Sequence, residues 1–545
     1  VGYEAGTAMS TGIKNTLIGG LAGDALTTGW YNIAIGQAAL SNEDTGSANV
    51  AIGFQALSVQ DAGADAYNVA IGTNAGVAVS TGIRNTIMGG DAGNALTTGA
   101  YNVAIGYNAL GTEDAHGRNV AIGYDALVQQ DAGADAYNVA VGFGAGGGVT
   151  TGVQNTLVGG NAGDALTTGD GNVVLGYAAL SAEDTGSRNV AIGNEALGAL
   201  NYNGEAYNTA VGFAAGKLVS SGIRNTLIGG LAGDALVAGA DNTAVGYAAL
   251  STEDGHGTNT AIGNWALTAQ NAGANAYNVA VGHKAGEAVT TGSSNTIIGG
   301  LAGDALTAGG GNVAIGTQAL STEDDHGYNT AVGARALETL NAGAHGYNTA
   351  VGYTAGTAMT TGVENTLIGG LAGDALTAGA YNIAIGYNAL GTEDAHGRNV
   401  AIGRLALQAQ NAGADAYNVA VGFHAGEVIS TGVQNVLIGG LAGDALTTGS
   451  YNTAVGYLAL STEDGHGYNT AIGREALKSL NAGSDAGNVA VGMQAGGEMT
   501  TGIRNTIVGT YAGDALTIGN FNVALGYHAL TTSVDGDANV AIGYE

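Results

Sequence analysis

Asn32-Ile33-Ala34-Ile35-Gly36 is the stretch that decides the fold, because the chain repeats it from end to end with small changes. The pattern Asn-(Val/Thr/Ile)-x-(Ile/Val/Leu/Met)-Gly starts at Asn15, Asn32, Asn49 and Asn68, then again at Asn85, Asn102, Asn119 and Asn138, and continues to Asn539. Spacings of 17, 17, 19 and 17 residues make a block of 70 that restarts at Asn85, Asn155, Asn225, Asn295, Asn365, Asn435 and Asn505, giving 31 copies. A fixed short period in 545 residues overrides the usual expectation of several globular domains. It predicts one continuous all-β domain over residues 1–545, a parallel β-solenoid of about 31 rungs of 17 or 19 residues in a 70-residue super-repeat.

Within a copy, apolar or β-branched residues at +1 and +3 from the Asn flank a residue at +2 that is usually Ala, as in Val50-Ala51-Ile52. This period-two alternation predicts a strand with +1 and +3 buried and +2 outward. Gly at +4 (Gly36, Gly53, Gly72) permits a close backbone approach. A second apolar stretch such as Ala39-Leu40 or Ala56-Leu57 suggests a second short strand, and Gly at +14 (Gly29, Gly46, Gly63, Gly82) marks the return. Helix is excluded for these segments by their shortness and by the recurring glycine. A single turn cannot bury its own apolar side, so turns must stack, and 31 of them at roughly 4.8 Å give a rod on the order of 150 Å. Equivalent Asn residues then lie above one another: Asn15, Asn32, Asn49, Asn68, Asn85 and Asn102 are read as a side-chain ladder, with turn-forming Asn as the alternative.

Composition agrees. There are 100 glycines and no proline, as expected where nearly every rung donates to a ladder and where collagen is excluded. The absence of cysteine removes disulfides, zinc–thiolate clusters and thiol nucleophiles. Acidic residues exceed basic ones by 44 − 13 = 31, a surface that repels nucleic acid and attracts cations. No apolar run approaches the roughly 18 residues of a membrane helix. The sequence opens inside a repeat at Val1 and closes soon after a motif, so further segments are expected beyond both ends.

The repeated Asn-Val-Ala-Ile-Gly, followed by Ala and by a Gly-containing turn, resembles the head repeats of YadA-like trimeric autotransporter adhesins and the shaft repeats of bacteriophage tail fibres. The likeness runs over essentially the whole chain. It implies a left-handed parallel β-roll, assembly as a homotrimer, and adhesion through the outer surface.

Several positions invite functional readings. The +2 residue is bulky in the first rung of each block: Leu17, Ile87, Leu157, Leu227, Ile297, Leu367, Leu437 and Ile507. An outward row of this kind, about 19 Å apart, is a lateral protomer contact; a rung turned the other way would place it in the core. Tyrosines precede the motif (Tyr31, Tyr67, Tyr101, Tyr137) or follow its Gly (Tyr107, Tyr124, Tyr247, Tyr387), as packing along the stack or as a glycan-contacting row. In the second and third rungs Glu43, Asp44 and Asp61, and again Glu113, Asp114 and Asp131, offer oxygen ligands suited to Ca²⁺, though later blocks carry Asn201, Asn271, Asn341, Asn411 and Asn481 at the last position. His116, His256, His326, His396 and His466 follow the Glu-Asp pair, as turn residues or as metal ligands. No nucleophile arrangement or phosphate loop recurs, so no catalytic residue and no enzyme activity is expected. The reading is an extracellular structural fibre, part of a cell-surface appendage or virion. It would self-associate as a homotrimer or end to end and meet a host surface or glycan, with no nucleic-acid partner and no membrane insertion. Ca²⁺ uptake and ice or mineral binding are the alternatives.

Overall fold

The computed structural model describes all 545 residues. The chain is all-β: thirty-one three-residue parallel strands, one per motif copy, and no helix. It forms two compact units, Val1–Ala276 and Tyr277–Glu545. The first carries the strands from Thr16–Ile18 to Thr260–Ile262, the second those from Val279–Val281 to Val540–Ile542, and each unit is a stack of parallel β-solenoid turns. The first block shows the plan, with β1 (Thr16–Ile18), β2 (Ile33–Ile35), β3 (Val50–Ile52) and β4 (Val69–Ile71). Their register is motif on motif: Ile33 pairs with Val50, Ala34 with Ala51 and Ile35 with Ile52. At this spacing each unit extends roughly 70 Å along its stacking direction.

Only one strand forms per turn, not two. The second apolar stretch is a run of tight turns, because it enters the left-handed backbone region twice, at Ala38 (φ 56°) and Leu40 (φ 53°), which no strand can contain. Non-glycine residues in that region are costly, by about 1–2 kcal/mol each. Here cross-turn hydrogen bonds hold them, such as Ala38 N–H to Gly20 O at 2.9 Å and Leu40 N–H to Ala56 O at 3.0 Å.

The sense of the strand is the reverse of the expected one. Ala34, Ala51 and Ala70 at +2 are fully buried, whereas Ile33, Ile35, Val50 and Ile52 at +1 and +3 are half-buried on the outer face. Ile87, Leu157, Leu227, Ile297, Leu367, Leu437 and Ile507 are therefore core residues with no exposed surface, and Leu17 is half-buried in the first rung, so this row is not a lateral contact.

Volume explains both the row and the 70-residue period. In β2 and β3 a small Ala at +2 leaves space for a buried Leu at +8, Leu40 or Leu57. In β1 and β4 position +8 is Gly. A Cβ on Gly76 would lie 2.9 Å from Ile87 Cδ1 and 3.1 Å from Leu57 Cδ2, so the bulky +2 residue fills the space left by glycine in its own turn and in the preceding one. Four turns are needed before the pattern of large and small side chains closes.

The +4 glycine fulfils the close-approach expectation. Gly36 has φ 138°, and a Cβ there would sit 2.3 Å from the carbonyl oxygen of Gly53 on the next turn.

Candidate functional site

The Asn corner fixes the geometry of everything beside it. The Asn N–H lies just before the strand and would be orphaned; Oδ1 of the preceding Asn accepts it, as in Asn32 to Asn15 (2.8 Å), Asn49 to Asn32 (2.9 Å), Asn68 to Asn49 (3.1 Å) and Asn85 to Asn68 (2.8 Å). Nδ2 turns the other way and closes its own loop, Asn15 to Gly29 O at 2.8 Å and Asn32 to Gly46 O at 2.9 Å. The ladder thus runs from side chain to backbone. Direct amide-to-amide bonds occur in only some turns, as from Asn172 Nδ2 to Asn155 Oδ1 at 3.2 Å.

Position +11 is inward. It holds Leu26 in the first turn and Val79 in the fourth, both fully buried, but Glu43 in the second and Gln60 in the third, also fully buried. Every Glu of the Glu-Asp pairs is therefore an interior residue, while its Asp neighbour is exposed or half-buried: Glu43 and Glu113 are buried, Asp44, Asp61, Asp114 and Asp131 exposed, Asp184 and Asp324 half-buried. The expected ligand sets therefore combine a buried Glu with exposed Asp residues at the edge of the turn.

Inside, one oxygen of each Glu is held and the other differs by block. Oε1 of Glu43 accepts the Gly46 N–H at 2.6 Å, and Oε1 of Glu113 accepts the His116 N–H at 3.1 Å. Oε2 of Glu43, Glu113, Glu253 and Glu393 has no hydrogen-bond partner. In these blocks the next turn carries Gln60, Gln130, Gln270 or Gln410. Where that residue is Leu200, Leu340 or Leu480, Oε2 accepts a backbone N–H instead, from Tyr202 (3.2 Å), Ala342 (3.3 Å) or Ala482 (3.3 Å). Gln130 and Asn138 bond to each other, Nδ2 to Oε1 at 2.6 Å. These glutamines carry a usable signal in the sequence: a polar residue occupies a position that other turns fill with Leu26 and Val79.

Burial pushes the Glu113 and Glu393 carboxyls up to about 7, against the pull of the His116 and His396 backbone N–H groups. The same cause raises Glu43, Glu183, Glu253, Glu323 and Glu463. Asp61 is also raised, by partial desolvation and then by Asp44 across the turns.

The histidines stand at the mouth of this corner. His116 Nδ1 is 3.8 Å from Glu113 Oε1, too far for a hydrogen bond, and His116, His256, His326, His396 and His466 all leave Nδ1 without a partner. Glu113, Asp114, His116 and Asp131 bring one ligand atom each to within 4.8 Å of one another, and Glu253, Asp254 and His256 do likewise.

Tyrosines edge the outer strand face. Tyr107, Tyr124 and Phe143 stack in file, with centroids 5.4 and 5.3 Å apart. At the other edge Arg118 lies 5.7 Å from the Tyr101 ring and 5.4 Å from Tyr137, with its Nε 3.0 Å from Asp135. These rings are about half exposed, so they both pack along the stack and present surface.

No protein-family model matches the sequence, and no curated protein matches it.

Proposed function

We propose that the chain is a rigid structural element of an extracellular fibre, the shaft or head of an adhesin or filament, that holds its outer face and turns at fixed spacing for attachment. The observation that carries this reading is the Asn15–Asn32–Asn49 type of bonding, which recurs from turn to turn within each unit and makes one turn the template of the next. A wall built of near-identical turns supplies stiffness and a periodic surface, which suit a spacer or a multivalent contact. Fibres of the kind the repeat resembles work in this way.

The outer strand face supports self-association. Half-buried β-branched residues at +1 and +3 line it, Ile228, Ile298, Ile368 and Ile438 are exposed at 37–40%, and tyrosines flank it. A continuous stripe of that composition is unusual on an isolated chain, and a second and third copy of the same face would cover it. Homotrimeric assembly is the form we favour.

Light scattering combined with electron microscopy of the full chain tests both statements. Elongated particles on the order of 150 Å with a mass near three times 52.9 kDa are expected. Compact particles would overturn the fibre reading, and elongated particles of single-chain mass would overturn the assembly alone. Replacing Ile228 and Ile298 together with Lys is expected to dissociate the assembly without shortening the particle.

A further inference from the structure

The mouth of the Glu-containing corner combines three features that separately mean little. Glu113 is fully buried, and its Oε2 has no partner. His116 Nδ1, three residues on, is a buried nitrogen without a partner. Two further carboxylates reach the same place, Asp114 from the same turn and Asp131 from the next, so that four ligand atoms fall within 4.8 Å of one another. Leaving a buried acceptor unpaired is costly, and a bound cation would remove that cost.

We propose that Glu113, Asp114, His116 and Asp131 bind a divalent cation of the zinc class. The imidazole nitrogen argues against Ca²⁺, which takes oxygen ligands, and suits Zn²⁺, which accepts His and carboxylate together. Two ligands of a tetrahedral Zn²⁺ lie roughly 3.4 Å apart, so the four groups need to draw inward slightly, and the exposed Asp114 and Asp131 are free to do so.

Glu253 with His256, and Glu393 with His396, repeat the orphaned Oε2 and Nδ1, but Asn271 and Asn411 replace Asp131 there. They bind the same ion more weakly. At Glu323 and Glu463 the second oxygen is already taken by the N–H of Ala342 or Ala482, and these corners are left out despite His326 and His466. The choice between the two kinds of corner is made from the next turn, by Gln or Leu at +11.

Calorimetric titration of the metal-stripped full chain with ZnCl₂ tests this. Three equivalents are expected, one tighter than the other two; H116A removes the tight equivalent, and H116A/H256A/H396A removes all three. E323Q/E463Q leaves the stoichiometry at three. Visible absorption with Co²⁺ in place of Zn²⁺ reports a nitrogen- and oxygen-ligated ion, weakened in H116A and lost in H116A/H256A/H396A, while circular dichroism checks that each variant is folded. Saturable Ca²⁺ binding at the same positions, five equivalents of Zn²⁺ that include the Glu323 and Glu463 corners, or an unchanged stoichiometry in H116A would each overturn the proposal.

Discussion

Oδ1 of Asn85 accepts the backbone N–H of Asn102 at 2.9 Å, while Nδ2 of the same Asn85 donates to Gly99 O at 2.9 Å. One side chain therefore satisfies a buried donor on the next turn and a buried acceptor on its own. Asn85→Ala leaves both unpaired and is expected to cost about 2–4 kcal/mol. Hydrogen exchange of peptides spanning residues 85–120 measures it as a local opening free energy, which suits a repeat better than a global melt. Protection within about 0.5 kcal/mol of the parent would mean that the ladder is incidental.

Glycine at +4 and glycine in the long turn carry different constraints. A Cβ on Gly106 would lie 2.3 Å from Gly123 O, whereas Gly63, at φ 61°, has nothing within 4 Å of a Cβ. Gly106→Ala must spread two turns and is expected to cost about 3 kcal/mol or more; Gly63→Ala carries only the left-handed backbone penalty of about 1 kcal/mol. Chemical unfolding of the two variants side by side reads the difference, and equal effects would contradict the packing of the +4 file.

The inward sense of +2 has its own test at the pair Ala140 and Leu157, which are register partners on neighbouring turns. Leu157→Ala opens a cavity and is expected to cost about 2–5 kcal/mol; Ala140→Leu overfills the same layer at about 1–3 kcal/mol. Val141→Thr, half-buried on the outer face, is expected to stay within about 1 kcal/mol. An outward-facing Leu157 would invert this order.

Acidity stabilises the fold. The buried Glu113 and Glu393 carboxyls stand near 7 in the folded chain, above the 4.5 of an ordinary Glu, so the folded state binds more protons between these values. Stability is fully present below the unfolded value and falls as pH rises through about 7. Relief of the negative charge excess acts in the same direction. In the presence of chelator the melting temperature is expected to be higher at pH 5 than at pH 8, and Glu113→Gln with Glu393→Gln should flatten the profile. A melting temperature that climbs with pH across this window would reverse the assignment.

The solenoid was legible because a 17-residue spacing with Asn and Gly at fixed offsets leaves few alternatives. The direction of the strand was not. Val50-Ala51-Ile52 is apolar at all three positions, so period two shows that the faces differ but not which is inside; size decides, and the Ala lies inside because Leu57 already fills that layer. The second apolar stretch reads as strand because Leu40 and Leu57 adopt a left-handed backbone that their side chains do not advertise. The acidic corner was half legible. Glu-Asp followed by His was visible as a cluster, yet the burial of Glu and the exposure of Asp follow from the inward phase at +11, readable only by comparison with Leu26 and Val79.

The contacts that set register join residues 17 or 19 apart, and the alternation of bulky and small core side chains closes after 70. A whole block can therefore be inserted or removed without creating an interface the chain does not already contain. Each such event changes the length by four turns, roughly 19 Å, and nothing else. Length within a unit is thus graduated in whole blocks, by duplication of the coding segment.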